Sequence, residues 1–484
     1  MSNTITKRTV MSSLIWKILE RGGTQGIQFV LSIVLARLVS PDNYGLIALV
    51  SIFIQISSVF VTSGLGTALV QQKDADDVSF SSVFFLGLFI ACCCYVLLFF
   101  VAPYIASFYE ADSLIPIIRV LGISLFFGAV NNVQGSFVSK HMQFKRFFFS
   151  SIGSVAGSGI IGIVLAYKGF GVWALVWQQL SSGFFSCIIL WFTVRWRPRL
   201  VFSWTKVKSL FDFGWKLLCS ALLDTFFSNI YGLIIGRIYS PAQLGIYNKG
   251  RNFPSIIATN LDGSIQGVML PTLSAYNDSV ADVKRIARHS ISVSAYILMP
   301  CMFGLAAIAE PLIEVLLTEK WRGCVPFLQL ACISCALWPI HTANLTAINA
   351  LGRSDIFLKL EIIKKVITVV NLVVTIPLGI YAMAIGQVIT GFLSTFINAY
   401  PNKRLMGYSY LEQWKDLFPG FIVSILMGCI VFPLQFLPIP VIVCLVLQIL
   451  TGIVVYVMFS KLFKIESFAY LLSTIKGFKR NGQE

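Results

Sequence analysis

The sequence has few charged residues for its length. Of its 484 residues, 12% are charged, against about 25% in an ordinary soluble domain, and 57% are hydrophobic. Such a chain has too few polar residues to cover a water-facing surface, which excludes a soluble enzyme. Fibrous and disordered chains are excluded as well, because they need short repeats or a high polarity. Successive apolar segments of at least about 18 residues are typical of membrane-spanning helices. The sequence therefore predicts an all-α polytopic membrane protein.

Residues that build catalytic centres are also scarce. The chain has three histidines and 11 cysteines, and most of the cysteines lie inside apolar runs. Cys332 and Cys335 form a CxxC pair, but no second pair and no histidine at ligand spacing accompany it, so we expect no metal site and no cofactor. Loops are shorter than about 20 residues and no phosphate-binding P-loop occurs, so we expect neither an extramembrane catalytic domain nor direct ATP hydrolysis.

Apolar windows of roughly 20 residues predict about fourteen spanning helices. Short polar or proline-containing segments, such as residues 40–42 and 438–440, separate them. The predicted spans are 12–38, 43–68, 80–107, 114–138, 148–167, 170–194, 210–238, 243–266, 285–309, 325–350, 356–378, 380–400, 416–436 and 439–462.

The basic residues indicate the orientation of the chain. Lys and Arg number 37 against 21 Asp and Glu, a net charge of +16. An even number of spans puts both termini on one side, which collects about 24 of the basic residues, whereas the opposite loops and helix ends hold about six. Since basic loops stay in the cytoplasm, we expect both termini to be cytoplasmic. Charge that follows topology in this way does not indicate nucleic-acid binding.

Two halves of the chain resemble each other. Residues 36–46 recur at 236–246, residues 115–124 at 325–334 and residues 168–174 at 378–384, always about 200 residues apart. A six-helix repeat inserts both copies in the same orientation, so we predict two lobes related by a pseudo-twofold axis along the membrane normal, with a cleft between them. The predicted domains are an N-lobe at 1–200, a C-lobe at 207–405, two further helices at 410–464 and a cytoplasmic tail at 465–484.

Polar residues form stripes on the first and seventh predicted helices, which correspond to each other in the repeat. Each stripe has helical spacing and so lies on one helix face. A charge in hydrocarbon costs about 2.5–3.5 kcal/mol or more, so such residues line a cavity or, near a helix end, snorkel to the headgroups. The stripes are Lys17, Arg21, Gln25 and Gln28 on the first helix, and Lys216, Ser220, Asp224 and Ser228 on the seventh.

The eighth predicted helix adds a third polar group, Asn248, Lys249, Arg251 and Asn252. We expect these residues to line the same cleft, which is then cationic and rich in amides. Cations suit phosphate, pyrophosphate or uronate groups, and amides suit sugar hydroxyls. For ion coupling by H⁺ or Na⁺ the candidates are Asp224, Glu20 and His341, although Glu20 also has the spacing to balance Lys17 and His341 to be a buried structural residue.

The segment from Arg37 to Gly45, continued by residues 63–70, resembles bacterial polysaccharide-transport flippases. These are the Wzx-type proteins of the multidrug/oligosaccharidyl-lipid/polysaccharide exporter superfamily, whose spans and repeat agree with those predicted here along the whole chain. The resemblance implies a flippase rather than an enzyme. It implies translocation of undecaprenyl-pyrophosphate-linked oligosaccharides for exopolysaccharide, O-antigen or capsule synthesis by alternating access, with the bilayer, a polymerase and a chain-length regulator as partners.

Three other functions stay open at this point. A lipid II flippase of the same superfamily has an arginine-rich cavity, but the second predicted helix here carries Gln55 and serines and no basic residue. A multidrug exporter of organic cations favours an acidic cavity. A membrane glycosyltransferase or polymerase has only the Asp74-Ala75-Asp76 motif in its favour, in a short loop that we expect to be a solvated turn.

Overall fold

The computed structural model describes residues 7–62, 64–72, 75–276 and 279–481, and within these ranges all regular structure is helical. Three short 3-10 helices, Glu319–Cys324, Ile376–Leu378 and Phe432–Phe436, supplement twenty α-helices. The α-helices are α1 Lys7–Leu38, α2 Pro41–Thr62, α3 Leu65–Gln71, α4 Asp77–Tyr109, α5 Leu114–Gly122, α6 Ser124–Lys140, α7 Phe144–Tyr167, α8 Val172–Thr193, α9 Trp204–Ile238, α10 Pro241–Ala275, α11 Val280–Ala307, α12 Ala309–Leu317, α13 Val325–Ala336, α14 Trp338–Ala350, α15 Ser354–Thr375, α16 Ile380–Ala399, α17 Asn402–Met406, α18 Tyr410–Val431, α19 Val441–Leu462 and α20 Glu466–Asn481.

The all-α membrane fold is confirmed. A helix or a pair of helices lies at each predicted span, and 11 segments of the described residues are long and apolar enough to cross a membrane. Helices α1, α10 and α15 fall outside those 11, because charged and amide residues interrupt their apolar sequences. Two of these three helices, α1 and α10, carry the polar groups singled out from the sequence.

The repeated Ser-Pro motif forms the same turn twice. It joins α1 to α2 and α9 to α10 through two residues, and each second helix begins at its proline. The Ser40 hydroxyl accepts a hydrogen bond from the Asn43 backbone N–H at 3.5 Å, and the Ser240 hydroxyl accepts one from Gln243 at 3.2 Å. Serine at the N-cap and proline in the first turn both favour a helix start. The motif therefore determines where these helices begin.

The repeat is also visible in broken helices. The fourth predicted span is divided into α5 and α6 at Ile123, and the tenth is divided into α13 and α14 at Leu337. The third and ninth spans, α4 and α11, each carry a proline inside the helix, Pro103 and Pro300, which removes one backbone hydrogen bond. Spans that correspond in the repeat thus have the same kind of irregularity, a break in one pair and an internal proline in the other.

The chain forms two compact units, residues 1–245 and 246–484. One core of the first unit joins α3, α4, α6 and α8 around Leu69, Phe80 and Leu190. One core of the second unit joins α11, α18 and α19, where the Tyr456 hydroxyl donates to the Tyr296 carbonyl at 2.7 Å. In each unit, residues far apart in sequence thus pack a continuous apolar interior.

In the first unit, the two repeated turns meet. A Cβ built on Gly45 would lie 1.6 Å from the Pro241 carbonyl oxygen, and one on Gly245 would lie 2.1 Å from the Pro41 oxygen. The reciprocal contact joins the first turn of α2 to the first turn of α10. Backbones can approach this closely only because both positions lack a side chain.

Candidate functional site

The polar stripe of α1 lies on an uncovered face. Lys17, Arg21, Gln25 and Gln28 are all exposed. The opposite face packs on α7, where a Cβ on Gly23 would lie 3.0 Å from Ile152 and one on Gly159 would lie 3.2 Å from Leu31. Helix α1 therefore packs glycine and leucine positions against α7 and leaves the four side chains of its polar stripe exposed.

Lys17 and Glu20 of α1 both contact α7. The Lys17 ammonium lies 5.6 Å from the centroid of the Phe144 ring, near the start of α7. The Glu20 carboxylate accepts a hydrogen bond from the Ser151 hydroxyl at 2.8 Å. In the described structure Glu20 thus bonds to α7, and the pairing with Lys17 considered from the sequence is not formed.

Helix α9 repeats this arrangement. Its stripe of Lys216, Ser220, Asp224 and Ser228 is exposed along its whole length. The other face packs on α2 through small residues, since a Cβ on Gly232 would lie 3.0 Å from Ile52 and one on Gly236 would lie 2.3 Å from Leu49. Glycines four residues apart permit such close helix packing in membranes. Both polar stripes therefore belong to the first unit and both lie opposite a tightly packed face.

A polar contact also connects α9 to α2. The Asn229 side chain donates to the Gln55 Oε1 atom at 3.3 Å. An amide pair in this position is satisfied internally and adds polarity without charge.

The polar residues of α10 separate in the structure. Asn252 is exposed and Asn248 half-buried, whereas Lys249 has 3% exposure and its ammonium lies 5.7 Å from the Trp321 ring centroid. Adjacent positions of a helix differ in direction by about 100°, so these neighbouring residues of α10 have different surroundings. Lys249 is the one that points into the interior of the second unit.

Arg251 stands at a small cavity within the second unit. Its Nη1 atom donates to the Tyr247 hydroxyl at 2.7 Å, and its guanidinium lies 5.2 Å from the Tyr247 ring centroid. The Gln387 amide donates to the same hydroxyl. The cavity has a volume of about 70 Å³. Its wall consists of Tyr247, Arg251, Ser255, Phe327, Leu330, Ala331, Ser334, Cys335, Trp338, Ala384 and Gln387.

The hydrogen bonds of this cavity favour an acceptor ligand. The Tyr247 oxygen accepts from both Arg251 and Gln387, so its own O–H proton is left to donate elsewhere. The ion pairs formed by the described residues do not include Arg251. A guanidinium, a hydroxyl donor and aromatic rings together suit an anionic or hydroxyl-rich group. Sequence reasoning missed Tyr247 and Gln387, although the i, i+4 spacing of Tyr247 and Arg251 is a signal that they share a helix face.

The remaining ion-coupling candidate lies in a buried polar network. The His341 Nδ1 atom is 3.1 Å from the Asn398 Nδ2 atom, and Asn398 has 0% exposure. The imidazole ring and the Asn398 amide thus share a hydrogen bond inside the second unit. Asp262 on α10 accepts from Gln266 at 2.9 Å and from the Thr342 hydroxyl. His341 and Asp262 thus both bond to neutral polar groups.

The acidic motif of the loop before α4 has a structural role. Asp76 caps α4 by accepting from the Ser79 backbone N–H at 3.0 Å, and it forms an ion pair with Lys206. The hydrogen bond from Lys206, supported by Ser79, lowers the pKa of Asp76 well below its usual range. Asp74 lies outside the described residues. In the described part of the chain, no three His, Cys, Asp or Glu side chains are grouped to hold a metal.

These observations define a multi-pass α-helical membrane protein with charged helix faces. Its fold is similar to that of the lipid II flippase MurJ in an inward closed conformation, with a TM-score of 0.74, 14% identity, and coverage of 93% of this chain and 98% of that one. It is also similar to an inward-facing multidrug resistance MATE transporter, with a TM-score of 0.63, 17% identity, and coverage of 81% and 98%. The chain belongs to the family described as polysaccharide biosynthesis protein, whose model matches residues 34–326.

Curated relatives match most of the chain. The succinoglycan biosynthesis transport protein ExoT of Rhizobium meliloti is 27% identical over 368 residues, covering 76% of this chain and 74% of that protein. The teichuronic acid biosynthesis protein TuaB of Bacillus subtilis is 25% identical, covering 78% of each. The lipopolysaccharide biosynthesis protein WzxC of Escherichia coli is 23% identical, covering 84% and 85%.

Proposed function

We propose that the protein is a flippase that moves undecaprenyl-pyrophosphate-linked oligosaccharides across the inner membrane for polysaccharide synthesis. The observation that carries this proposal is the exposure of the charged stripes on α1 and α9, opposite faces that are tightly packed. Charges in a membrane domain cost several kcal/mol unless they meet water or a charged ligand. Family membership and the polysaccharide-related names of the relatives support the same conclusion.

The chemistry of the polar faces supports an anionic, sugar-bearing cargo. Arg21 and Lys17 supply cations for a pyrophosphate, and Gln25 and Gln28 supply amides for hydroxyl groups. The Arg251 and Tyr247 cavity adds a further cation and a hydroxyl donor. Asp224 is the one acidic member of the stripes, which makes it our candidate for H⁺ or Na⁺ coupling. The protein needs no catalytic centre for this task.

The repeat supports alternating access. In this proposal the repeat halves at 1–200 and 207–405 act as two lobes, with both termini in the cytoplasm. The cargo is delivered to the periplasmic leaflet, where a polymerase and a chain-length regulator use it. When the two lobes move relative to each other in this proposal, the close glycine contact between α2 and α10 breaks and forms again.

Deletion of the gene followed by analysis of lipid-linked sugars tests the proposal. We expect the deletion strain to accumulate lipid-linked oligosaccharide and to regain polymer when the wild-type gene is restored. Arg21→Ala and Asp224→Ala should each restore less polymer at equal membrane levels, because each removes a charge from an exposed stripe. Arg285→Ala is the control, since this arginine is 76% exposed and pairs with Asp282 on its own helix.

Two results would overturn the proposal. Accumulation of lipid II with cell lysis in the deletion strain would instead identify a lipid II flippase, which is what the structural relative MurJ is named. Normal polymer output from both Arg21→Ala and Asp224→Ala would show that the stripes are not the transport surface.

A further inference from the structure

Two arginines lie near each other at one end of α7 and α8, in the first unit. Arg146 is in the first turn of α7, and Arg195 follows the end of α8. The predicted spans are 148–167 and 170–194, so both arginines lie directly beyond a span, where lipid headgroups are expected. The distribution of basic residues predicts that this end of both helices is cytoplasmic.

Close packing of the two helices brings these arginines together. The Ser150 hydroxyl, one turn after Arg146, donates to the Ser186 carbonyl at 3.3 Å. Small residues of this kind allow helices in a membrane to approach closely. Arg195 is therefore near enough to repel the Arg146 guanidinium, which is itself half-buried.

Neither charge has an anionic partner among the described residues. The ion pairs that these residues form do not include Arg146 or Arg195. The Arg146 Nη1 atom is buried without a hydrogen-bond partner, and the nearby Gln143 Oε1 atom does not bond to it. Glu20 is the one acidic residue of α1, α7 and α8, and it accepts from Ser151. An anion from outside the chain would meet a charge that is otherwise uncompensated.

The start of α7 also favours an anion. Its first turn has no acidic residue and carries Lys145 and Arg146 instead. The free backbone N–H groups of a helix start have partial positive charge, so cations there are unfavourable and an anion is favourable. At the end of α8, Arg197 donates to the Val194 carbonyl at 2.5 Å, so Arg195 is not needed to cap that helix.

The surroundings favour a lipid over a free ion. Phe149 lies one turn from Arg146 and Phe192 one turn from Arg195, and their side chains are 51% and 81% exposed. Both phenylalanines belong to the predicted spans, where an exposed apolar side chain contacts hydrocarbon. Arginine forks match the geometry of phosphate, and basic pockets between cytoplasmic helix ends suit anionic lipid headgroups. Arginines beside exposed apolar rings therefore match a ligand with a phosphate and acyl chains.

We propose that the adjacent ends of α7 and α8 bind the phosphate of an anionic phospholipid, with Arg146 and Arg195 as its ligands. The phosphate compensates both guanidiniums and the start of α7, and the acyl chains lie against Phe149 and Phe192. This phospholipid is a component of the bilayer and not the cargo, so the site does not depend on the proposed function. Because it holds two helix ends together, the stability of the protein depends on the anionic lipid around it.

Lipid binding to the purified full-length protein tests this site. The probes are dioleoyl phosphatidylglycerol, the zwitterionic dioleoyl phosphatidylcholine and inorganic phosphate, each added in detergent. Native mass spectrometry should show that the wild type retains phosphatidylglycerol in preference to phosphatidylcholine. Arg146→Gln and Arg195→Gln should each weaken this retention by about fivefold, because each removes charge-assisted bonds to the phosphate. Arg199→Gln is the matched control, since it removes the same charge from the same segment but its side chain is 70% exposed and pairs with Asp77.

The thermal unfolding midpoint gives a second measurement, which also shows whether each variant is folded. Phosphatidylglycerol should raise the midpoint of the wild type and of Arg199→Gln, and it should leave that of Arg195→Gln unchanged. Without added lipid, Arg195→Gln should unfold at or above the wild-type midpoint, because the repulsion between two guanidiniums is gone.

Three results would refute the assignment. Equal retention of the two phospholipids by the wild type would exclude a site for an anionic headgroup. Equal losses in Arg195→Gln and Arg199→Gln would mean that net charge alone attracts the lipid. A wild-type midpoint that inorganic phosphate raises as much as phosphatidylglycerol does would assign the arginines to a free anion. Polymer output in the deletion strain tests the proposed function separately from all three.

Discussion

At the scale of single residues, the Tyr247 hydroxyl of the second unit has a demanding environment. Two donors, from Arg251 and Gln387, converge on one oxygen beside a cavity. Removing an acceptor leaves both donors without a partner, which costs about 1–3 kcal/mol where they are out of water. The hydroxyl therefore both positions the guanidinium and presents a donor to a ligand.

Tyr247→Phe tests this arrangement. We expect the export rate to fall by roughly tenfold, since about 1.4 kcal/mol corresponds to that factor. The measurement is the rate of polymer appearance in the complemented deletion strain at equal protein levels. The control is Tyr381→Phe, because Tyr381 contacts Phe327 by ring stacking at 5.0 Å. An equal effect of the two substitutions would contradict a role for the Tyr247 hydroxyl.

At the scale of helices, the contact between the first turns of α2 and α10 has the least tolerance for change. Each glycine faces a carbonyl oxygen of the opposite turn, at distances that a Cβ never reaches. The same turns are capped by Ser40 and Ser240, so the sequence motif determines both the helix starts and their approach. A side chain here must push two helices apart.

Gly45→Ala should therefore destabilise the purified protein by about 1–3 kcal/mol, as overpacking does. The measurement is the thermal unfolding midpoint in detergent. Gly391→Ala is the matched control, because a Cβ built there meets no atom within 4 Å. We expect this second change to stabilise α16 by about 0.5–1 kcal/mol, the usual gain for alanine over glycine inside a helix. A midpoint that shifts in the same direction in both variants would contradict the packing argument.

At the scale of the whole molecule, the distribution of basic residues predicts the orientation. Arg285 lies near the start of α11 and is 76% exposed, whereas Glu319 lies beyond its end and is 84% exposed. The span between them puts these residues on opposite membrane faces. Basic residues collect on the Arg285 side, which is expected to be cytoplasmic.

Single cysteines at these two positions test the orientation. In a cysteine-free protein, a membrane-impermeant maleimide added to intact cells should label Glu319→Cys and leave Arg285→Cys unlabelled. Permeabilised cells should label both, which controls for reactivity. The reverse pattern in intact cells would place the termini outside and contradict the positive-inside assignment.

The positions of the helices were largely predictable from sequence, because each depends on a local apolar run and local helix signals. The Ser-Pro turns and the exposure of the α1 and α9 stripes follow in the same way, since spacing along one helix determines its faces. Lys249 was predicted to line a cleft, and in the structure it is 3% exposed and lies 5.7 Å from the Trp321 ring centroid. Its burial beneath Trp321 depends on which neighbour packs on α10, and helical spacing alone does not contain that information.

Hydropathy and residue spacing are local properties, so the membrane fold, the repeat and the candidate charges could be read from the sequence. Which partner each polar atom has depends on how the helices pack. Gln387 meets Tyr247 across 140 residues, Tyr109 meets Leu233 across 124, and Glu20 meets Ser151 across 131. Cavities and hydrogen bonds of this kind arise where separate helices pack, and packing depends on the complementary shapes of residues distant in sequence.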